Sequence, residues 1–369
     1  MLRIDEIYTT HLVPWLQQHQ QDLRCLWFDP FGRTDIDAVQ CKTRGLQEQD
    51  YVIFFDQEPV QADLHNATFD HIQQKRCFDI HWHAKHAVGH IITSEYASES
   101  VEQICRDRDW QSHYYFFHGW AALDWYRGYN LVPTITFPEQ RSISCTFVNP
   151  NRIVGGRRNH RLQLLYWIFK YGLLDNYISC PAVCPVENQP IQDLVKSVES
   201  DYPDISQVFD RVTLPLDMPG ESGHPMTSAH LDLFEPCAQS LLYLVTETLA
   251  DGRRQHLTEK TFKPICLQMP FVLVATQGAL EYLRGYGFQT FNSIWDESYD
   301  LEPNMTRRIA KIGKLLSDLD KLSTNEKQNL YKSAIPIIKH NYEHFYGGGF
   351  EAVLWKEMTQ MIQEFDHGI

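Results

Sequence analysis

The sequence predicts an α/β protein made of two parallel-sheet units with helices toward the C-terminus. Three observations carry this expectation. Short strand-like apolar runs alternate with polar stretches of helical length from the start of the chain. A Pro-containing connector near residue 140 interrupts the pattern before a fresh strand begins. With 369 residues and 43% hydrophobic content, the chain can fill two cores of ordinary size rather than one. The expected domains are therefore 1–140 and 141–369.

The elements follow in order. LRCLWFD, DYVIFFDQEP, GHIITSE and HYYFFHG read as four strands of the first unit. LVPTITFPEQRS (131–142) is the connector, and ISCTFVNPN (143–151) opens the second unit. From Asn159 to Leu174 the apolar residues Leu162, Leu165, Tyr166 and Phe169 share one helical face, and Gly172 supplies a stop. Pro185 to Met226 is a polar, Pro-rich excursion with short turns. LLYLVTET (241–248) is a strand; a polar loop leads to a helix start at Thr258, and FVLVAT (271–276) is the next strand. Beyond Asp300, MTRRIAKIGKLLSDLDKL and STNEKQNLYKSAIPIIKHNYEHF read as helices, and a last amphipathic helix follows Gly347-Gly348-Gly349.

Composition excludes several classes of function. The net charge of −14 opposes wrapping of a nucleic-acid backbone, whose affinity comes from Lys and Arg on phosphates. Nine cysteines, an odd number without framework spacing, fit free thiols in a reducing cytoplasm. No window approaches the roughly eighteen apolar residues of a membrane span, and MLRIDEIYTTHLVPW lacks a basic leader and a cleavage site. A cytoplasmic location is expected, in the host cytoplasm if the chain is viral.

Two segments of the second unit suit a phosphorylated ligand. Glu247 ends one strand, and Thr258-Glu259-Lys260 opens the helix after the loop. A lysine at a helix N-terminus adds a point charge to the free backbone N–H groups there, which suits a diphosphate, and a nearby carboxylate can hold sugar hydroxyls. The same residues also fit a capped helix with solvated charges. The second segment, Asn149 to Arg161, holds Arg152, Arg157, Arg158 and Arg161 around Gly155-Gly156, between a strand and a helix. Glycines let the backbone approach a ligand and guanidinium groups match phosphate oxygens, although solvated arginines fit the pattern too.

FVNPN, then Arg158-Asn159 at a helix start, then Glu247 and Thr258-Glu259-Lys260 together resemble the donor domain of the α-1,3-fucosyltransferases. Thr246-Glu247-Thr248 stands where that family has Glu-Asn-Ser. The resemblance implies the GT-B arrangement, two Rossmann-like domains facing a cleft. It implies donor-site roles for Arg158 or Arg161 and for Lys260 on the diphosphate, with Glu259 near ribose and sugar and Glu247 on the family's glutamate. The continuation after Lys260, with the DQEP and FFHGWAALDWYR segments, is similar to glycosyltransferase-like proteins of tailed phages and marine viruses.

In the first unit, Asp56 and Glu58 follow the strand YVIFF, at the carboxyl edge where an open sheet binds ligands. An inverting sugar transfer needs a base beside the acceptor hydroxyl. Glu58 is the expected base and Asp56 its reserve, though a turn capped by Asp56 and stopped by Pro59 fits as well. His118 and Asp124 lie in an aromatic run that can stack sugars or simply form core. No metal is expected. His81, His83, His86 and His90 lack the spacing of a zinc helix, Cys180 and Cys184 are isolated, and Asp318 to Asp320 sit in a helical pattern. The expected function is transfer of a sugar from a nucleotide sugar to an acceptor hydroxyl, inverting and without a cofactor. The acceptor is a glycan, a small molecule or a hydroxymethylated base of phage DNA, and a non-catalytic nucleotide-sugar-binding protein is the alternative.

Overall fold

The computed structural model describes residues 24–27, 51–55, 59, 89–128, 138–221 and 231–367. It is a mixed α/β protein with parallel sheets and C-terminal helices. The chain divides into two compact units, Met1–Asp124 with Arg254–His256 and Glu351–Ile369, and Trp125–Arg253 with Leu257–Phe350. The first exchange thus falls at Asp124, ahead of the connector, and two later segments return to the first unit.

In the first unit, β1 (Arg24–Trp27), β2 (Tyr51–Phe55), β3 (Gly89–Thr93) and β4 (Gln111–Tyr114) form a parallel sheet in sequence order. Between β3 and β4 runs α1 (Glu99–Arg108), capped by Ser98 and ended by Asp109 in the left-handed region. HYYFFHG divides differently from the expected strand. β4 ends at Tyr114, and Phe117 already begins α2 (Phe117–Gly128). Tyr115, Phe116, Phe117, Trp120, Ala121, Ala122, Leu123 and Tyr126 are all buried, so α2 is apolar around most of its circumference. Such a run carries no helical period to distinguish it from a buried strand.

The second unit holds a parallel sheet in the order β10-β9-β5-β6, from Phe271–Val274, Ser240–Thr246, Cys145–Asn149 and Tyr177–Ile178. Every residue of β9 is buried, as expected of a central parallel strand covered on both faces. From β5 the chain passes through α3 (Asn159–Lys170) to β6 on one side, then crosses to β9 on the other. The strand order therefore reverses between β5 and β9, which makes their carboxyl ends a topological switch point.

Helix α3 is buried from His160 to Phe169 except at Trp167, and Gly172 (φ +69°) turns the chain beyond its end. Residues 185–221 of the Pro185 to Met226 excursion are described. Hairpin strands β7 (Val183–Cys184) and β8 (Gln189–Pro190) precede α4 (Ile191–Leu194), a 3₁₀ turn and α5 (Ile205–Phe209). After β9, preceded by the short α6 (Phe234–Gln239), come α7 (Glu259–Cys266), β10 and α8 (Ala279–Gly285).

The C-terminal helices are α9 (Met305–Asp320), α10 (Thr324–Tyr346) and α11 (Gly349–His367). Their starts are chemically specified: Asn304 caps α9, and Ser323 with Glu326 forms a capping box on α10. A Cβ on Gly313 of α9 would lie 2.6 Å from the Trp167 Cβ, so only glycine permits α9 to approach α3 this closely. Asp320 accepts hydrogen bonds from Thr146 Oγ1 and Asn176 Nδ2, tying α9 to the sheet. Asp318 meets Lys314 and Lys321. Both acids are thus helical, as their sequence pattern implied. Among the described residues no helix is long and apolar enough to cross a membrane.

Candidate functional site

The Asn-Pro-Asn sequence after β5 acts as a staple at the switch point. Asn149 Nδ2 donates to the Leu244 carbonyl at 2.8 Å, and Asn151 Nδ2 donates to Asn149 Oδ1 at 2.5 Å. Thr246 Oγ1 donates to Asn151 Oδ1 at 2.9 Å, while the Asn151 N–H donates to Ser179 Oγ at 2.9 Å. Both asparagines and Thr246 are buried, so these bonds have little competition from water. The chain ends of β5, β9 and the segment after β6 are held together this way.

The basic loop then divides its arginines between two tasks. Arg161 is buried, and its guanidinium donates to the carbonyls of Ile153 (2.9 Å), Thr246 (2.9 Å) and Glu247 (3.2 Å). Burial, aided by the charge of Arg158, pulls its pKa down to about 9. Beside it the His160 ring bonds the Glu247 carbonyl at 3.0 Å. A carbonyl only accepts, so Nε2 carries the proton, and burial holds the imidazole pKa down at about 3. His160 is therefore neutral at ordinary pH.

Arg158 is half-buried at the start of α3, and its side chain has no hydrogen-bond or ion-pair partner among the described residues. Its backbone N–H closes the turn by donating to the Gly155 carbonyl at 3.0 Å. Arg152 and Arg157 are exposed.

Glu247, the residue after β9, is 0% exposed. Its carboxylate accepts from the Thr258 N–H (3.0 Å), the Thr258 hydroxyl (2.7 Å), the Thr261 hydroxyl (2.6 Å) and its neighbour's N–H at Thr248 (3.3 Å). A carboxylate offers about four lone-pair sites, and all are taken. In this structure Glu247 holds the first turn of α7. Thr258 also caps that helix, accepting from the Lys260 N–H at 3.4 Å.

The Lys260 ammonium reaches 2.9 Å from Glu259 Oε1 and 3.1 Å from Thr258 Oγ1. Its side chain keeps 30% exposure against 6% for Glu259. Lys260 can turn toward a ligand from here, whereas the Glu259 carboxylate is buried beneath it.

One buried arginine missed in the sequence supports this edge of the sheet. Arg308 of α9 donates to the carbonyls of Ala275 (3.1 Å), Ala250 and Glu302. It thereby ties together the segments that leave β9 and β10. The sequence signal was an arginine on the apolar side of α9, beside Ile309 and Ile312.

In the first unit, Asp56 and Glu58 lie outside the described residues, as do His81, His83 and His86; Pro59 is buried. His118 is buried in α2, edge-on to His256 with ring centroids 4.8 Å apart. Asp124 is half-buried near the end of the same helix. A second polar pair lies in this unit: Arg254 Nη1 donates to buried Glu95 at 2.9 Å, and Ser98 Oγ donates to the other carboxylate oxygen. Tyr96 and Gln255 pair as an antiparallel bridge alongside.

Cys180 and Cys184 are buried free thiols, and burial pushes Cys180 up to about 12. No group of three His, Cys, Asp or Glu side chains arranged for a metal ion occurs among the described residues. No protein-family model, curated protein or solved structure matches the chain.

Proposed function

We propose that the protein is a GT-B-like glycosyltransferase that moves a sugar from a nucleotide sugar to an acceptor hydroxyl, with inversion and without a metal. One observation carries the reading. Arg158 and Lys260 open the helices that follow adjacent strands β5 and β9, at the switch point where an open parallel sheet receives its ligand. Two cations at two helix starts suit a diphosphate, and they supply the charge that stabilises it as a leaving group. The resemblance of FVNPN, Arg158, Glu247 and Thr258-Glu259-Lys260 to the fucosyltransferase donor domain supports the same assignment.

The acceptor belongs to the first unit in this reading, with Glu58 or Asp56 as the base. A glycan, a lipid or a small-molecule hydroxyl fits the net charge of −14 better than a base of duplex DNA. A panel of nucleotide sugars tests the proposal by thermal stabilisation, since a ligand at a hundredfold its Kd adds about 2.7 kcal/mol. Donor hydrolysis or transfer should then persist in excess EDTA. Activity that vanishes with EDTA and returns with magnesium or manganese overturns the metal-independent mechanism.

A further inference from the structure

The carboxylates at the carboxyl edge of the second sheet are not equivalent. Those of Glu247 are saturated by four donors, and Glu259 is buried against the Lys260 ammonium. Glu221 accepts from Ser179 Oγ at 3.1 Å, and burial raises its pKa. Glu187 differs from all three. It sits in the exposed turn between β7 and β8, followed by Asn188 in the left-handed region (φ 50°).

From that turn Glu187 leans onto the Gly155-Gly156 backbone that leads into α3. A Cβ on Gly155 would meet Glu187 Cγ at 3.2 Å and Leu194 Cδ1 at 2.6 Å, and one on Gly156 would collide with Glu187 Oε1. Gly156 also has φ +58°, the left-handed region that favours glycine, and the carboxylate lies directly over its backbone. Among the described residues Glu187 has no hydrogen-bond or ion-pair partner, although Arg152, Arg157, Arg158 and Arg161 all lie within six residues of Gly155 or Gly156 in the sequence. The fold thus brings an acceptor-only group against the basic loop without a protein donor among the described residues.

We propose that Glu187 is a specificity residue of this site, accepting hydrogen bonds from a vicinal diol on the bound nucleotide sugar. The inference rests on the nucleotide-sugar reading above. A carboxylate repels the diphosphate that Arg158 and Lys260 attract, so its ligand partner is a hydrogen-bond donor on the same molecule. The hydroxyl pairs of such a molecule belong either to the ribose or to the transferred sugar. Either diol can donate two hydrogen bonds to one carboxylate, and an ionised acceptor makes them stronger than neutral ones.

Calorimetry on the full chain separates these sources. Ribonucleoside diphosphates, their 2′-deoxy counterparts and the matching nucleotide sugars are titrated into wild type, E187A and R158A. If Glu187 holds the ribose, wild type prefers the ribo over the deoxy form by about tenfold. E187A then removes that preference by weakening only the ribo form. If it holds the transferred sugar, E187A weakens the nucleotide sugar about tenfold and leaves the bare diphosphate unchanged. Equal affinities of wild type and E187A for every ligand, or an equal loss for all of them, overturn the assignment. R158A serves as the contrast, because loss of a phosphate contact weakens ribo and deoxy forms alike. If wild type binds no nucleotide in the panel, the nucleotide-sugar reading itself fails and this inference falls with it. If wild type binds and E187A is neutral, only Glu187 falls.

Discussion

Glu247 and Thr258 form a doubly bonded pair: the threonine hydroxyl donates to Oε2 at 2.7 Å and its backbone N–H donates to Oε1 at 3.0 Å. The end of β9 therefore fixes the start of α7, eleven residues later, and with it the base of the Lys260 side chain. E247A leaves buried donors on Thr258 and Thr261 without an acceptor, at about 1–3 kcal/mol each. We expect E247A to lose at least about 3 kcal/mol of unfolding free energy and E247Q about 1–2 kcal/mol, because the amide keeps one acceptor oxygen. Urea denaturation checks both, and wild-type stability in E247A would show that the carboxylate does not hold this turn.

Arg158 and Arg161 are predicted to separate binding from stability. Arg161 is spent on three backbone carbonyls, so R161A orphans buried acceptors and should cost about 2 kcal/mol or more of stability. R158A should leave the unfolding midpoint unchanged while weakening nucleoside diphosphate binding at least about tenfold, the effect of losing one charge-assisted contact. K260A should behave as R158A does. Calorimetry beside denaturation distinguishes the two classes, and a nucleotide affinity unaltered in both R158A and K260A would remove the phosphate role from these helix starts.

Much of this arrangement was legible in the sequence where the signal is local. LLYLV is a continuous apolar run, as a strand covered on both faces requires, and Ser323 with Glu326 announces a helix start. The start of FFHGWAALDWYR reads as strand but folds as helix, because a helix buried on most sides has no apolar stripe and aromatic residues favour strands in isolation. The roles of Arg161 and Glu247 were hidden for another reason. Their partners are backbone carbonyls and threonines brought near by the sheet, and sequence spacing does not encode which way a charged group turns. The return of Arg254–His256 to the first unit depends on the Tyr96–Gln255 bridge and the Arg254–Glu95 pair, both non-local. The two-residue strands beside Glu187 are too short to leave a period.

His160 predicts a pH dependence. Its folded pKa, held at about 3 by burial, lies below the ordinary histidine value of 6.5. Between those values the unfolded chain binds a proton that the folded protein does not, so this residue's contribution falls as pH drops from 6.5 toward 3. The slope approaches about 1.4 kcal/mol per pH unit once the unfolded imidazole is fully protonated. Asp300 acts oppositely. Burial raises its pKa to about 6, and its contribution increases as pH falls through that value. The comparison that isolates His160 is therefore H160Q against wild type in urea from pH 7 to pH 4. The glutamine amide can still donate to the Glu247 carbonyl, and the stability difference should shift in favour of H160Q as pH falls. A difference independent of pH would show that the imidazole titrates normally in the folded state.

Glu58, with Asp56 as its reserve, is predicted to activate the acceptor hydroxyl while contributing little to donor binding. Both acids follow β2 (Tyr51–Phe55) in a parallel sheet, immediately beyond the carboxyl end of a strand, where such sheets present catalytic groups. The phosphate-binding signals lie in the other unit, so the base and the diphosphate contacts should respond independently to substitution. Removing a general base costs about 10²–10⁴ in rate. Glu58→Gln should therefore lose most turnover yet bind the nucleotide sugar with wild-type affinity, the pattern of an interaction made only in the transition state. Asp56→Asn should show the smaller loss. That separation also argues against a mere binding protein, which has no turnover to lose. Full turnover in both variants would place the base elsewhere, and Asp124 and His118 of α2 are then the next to substitute.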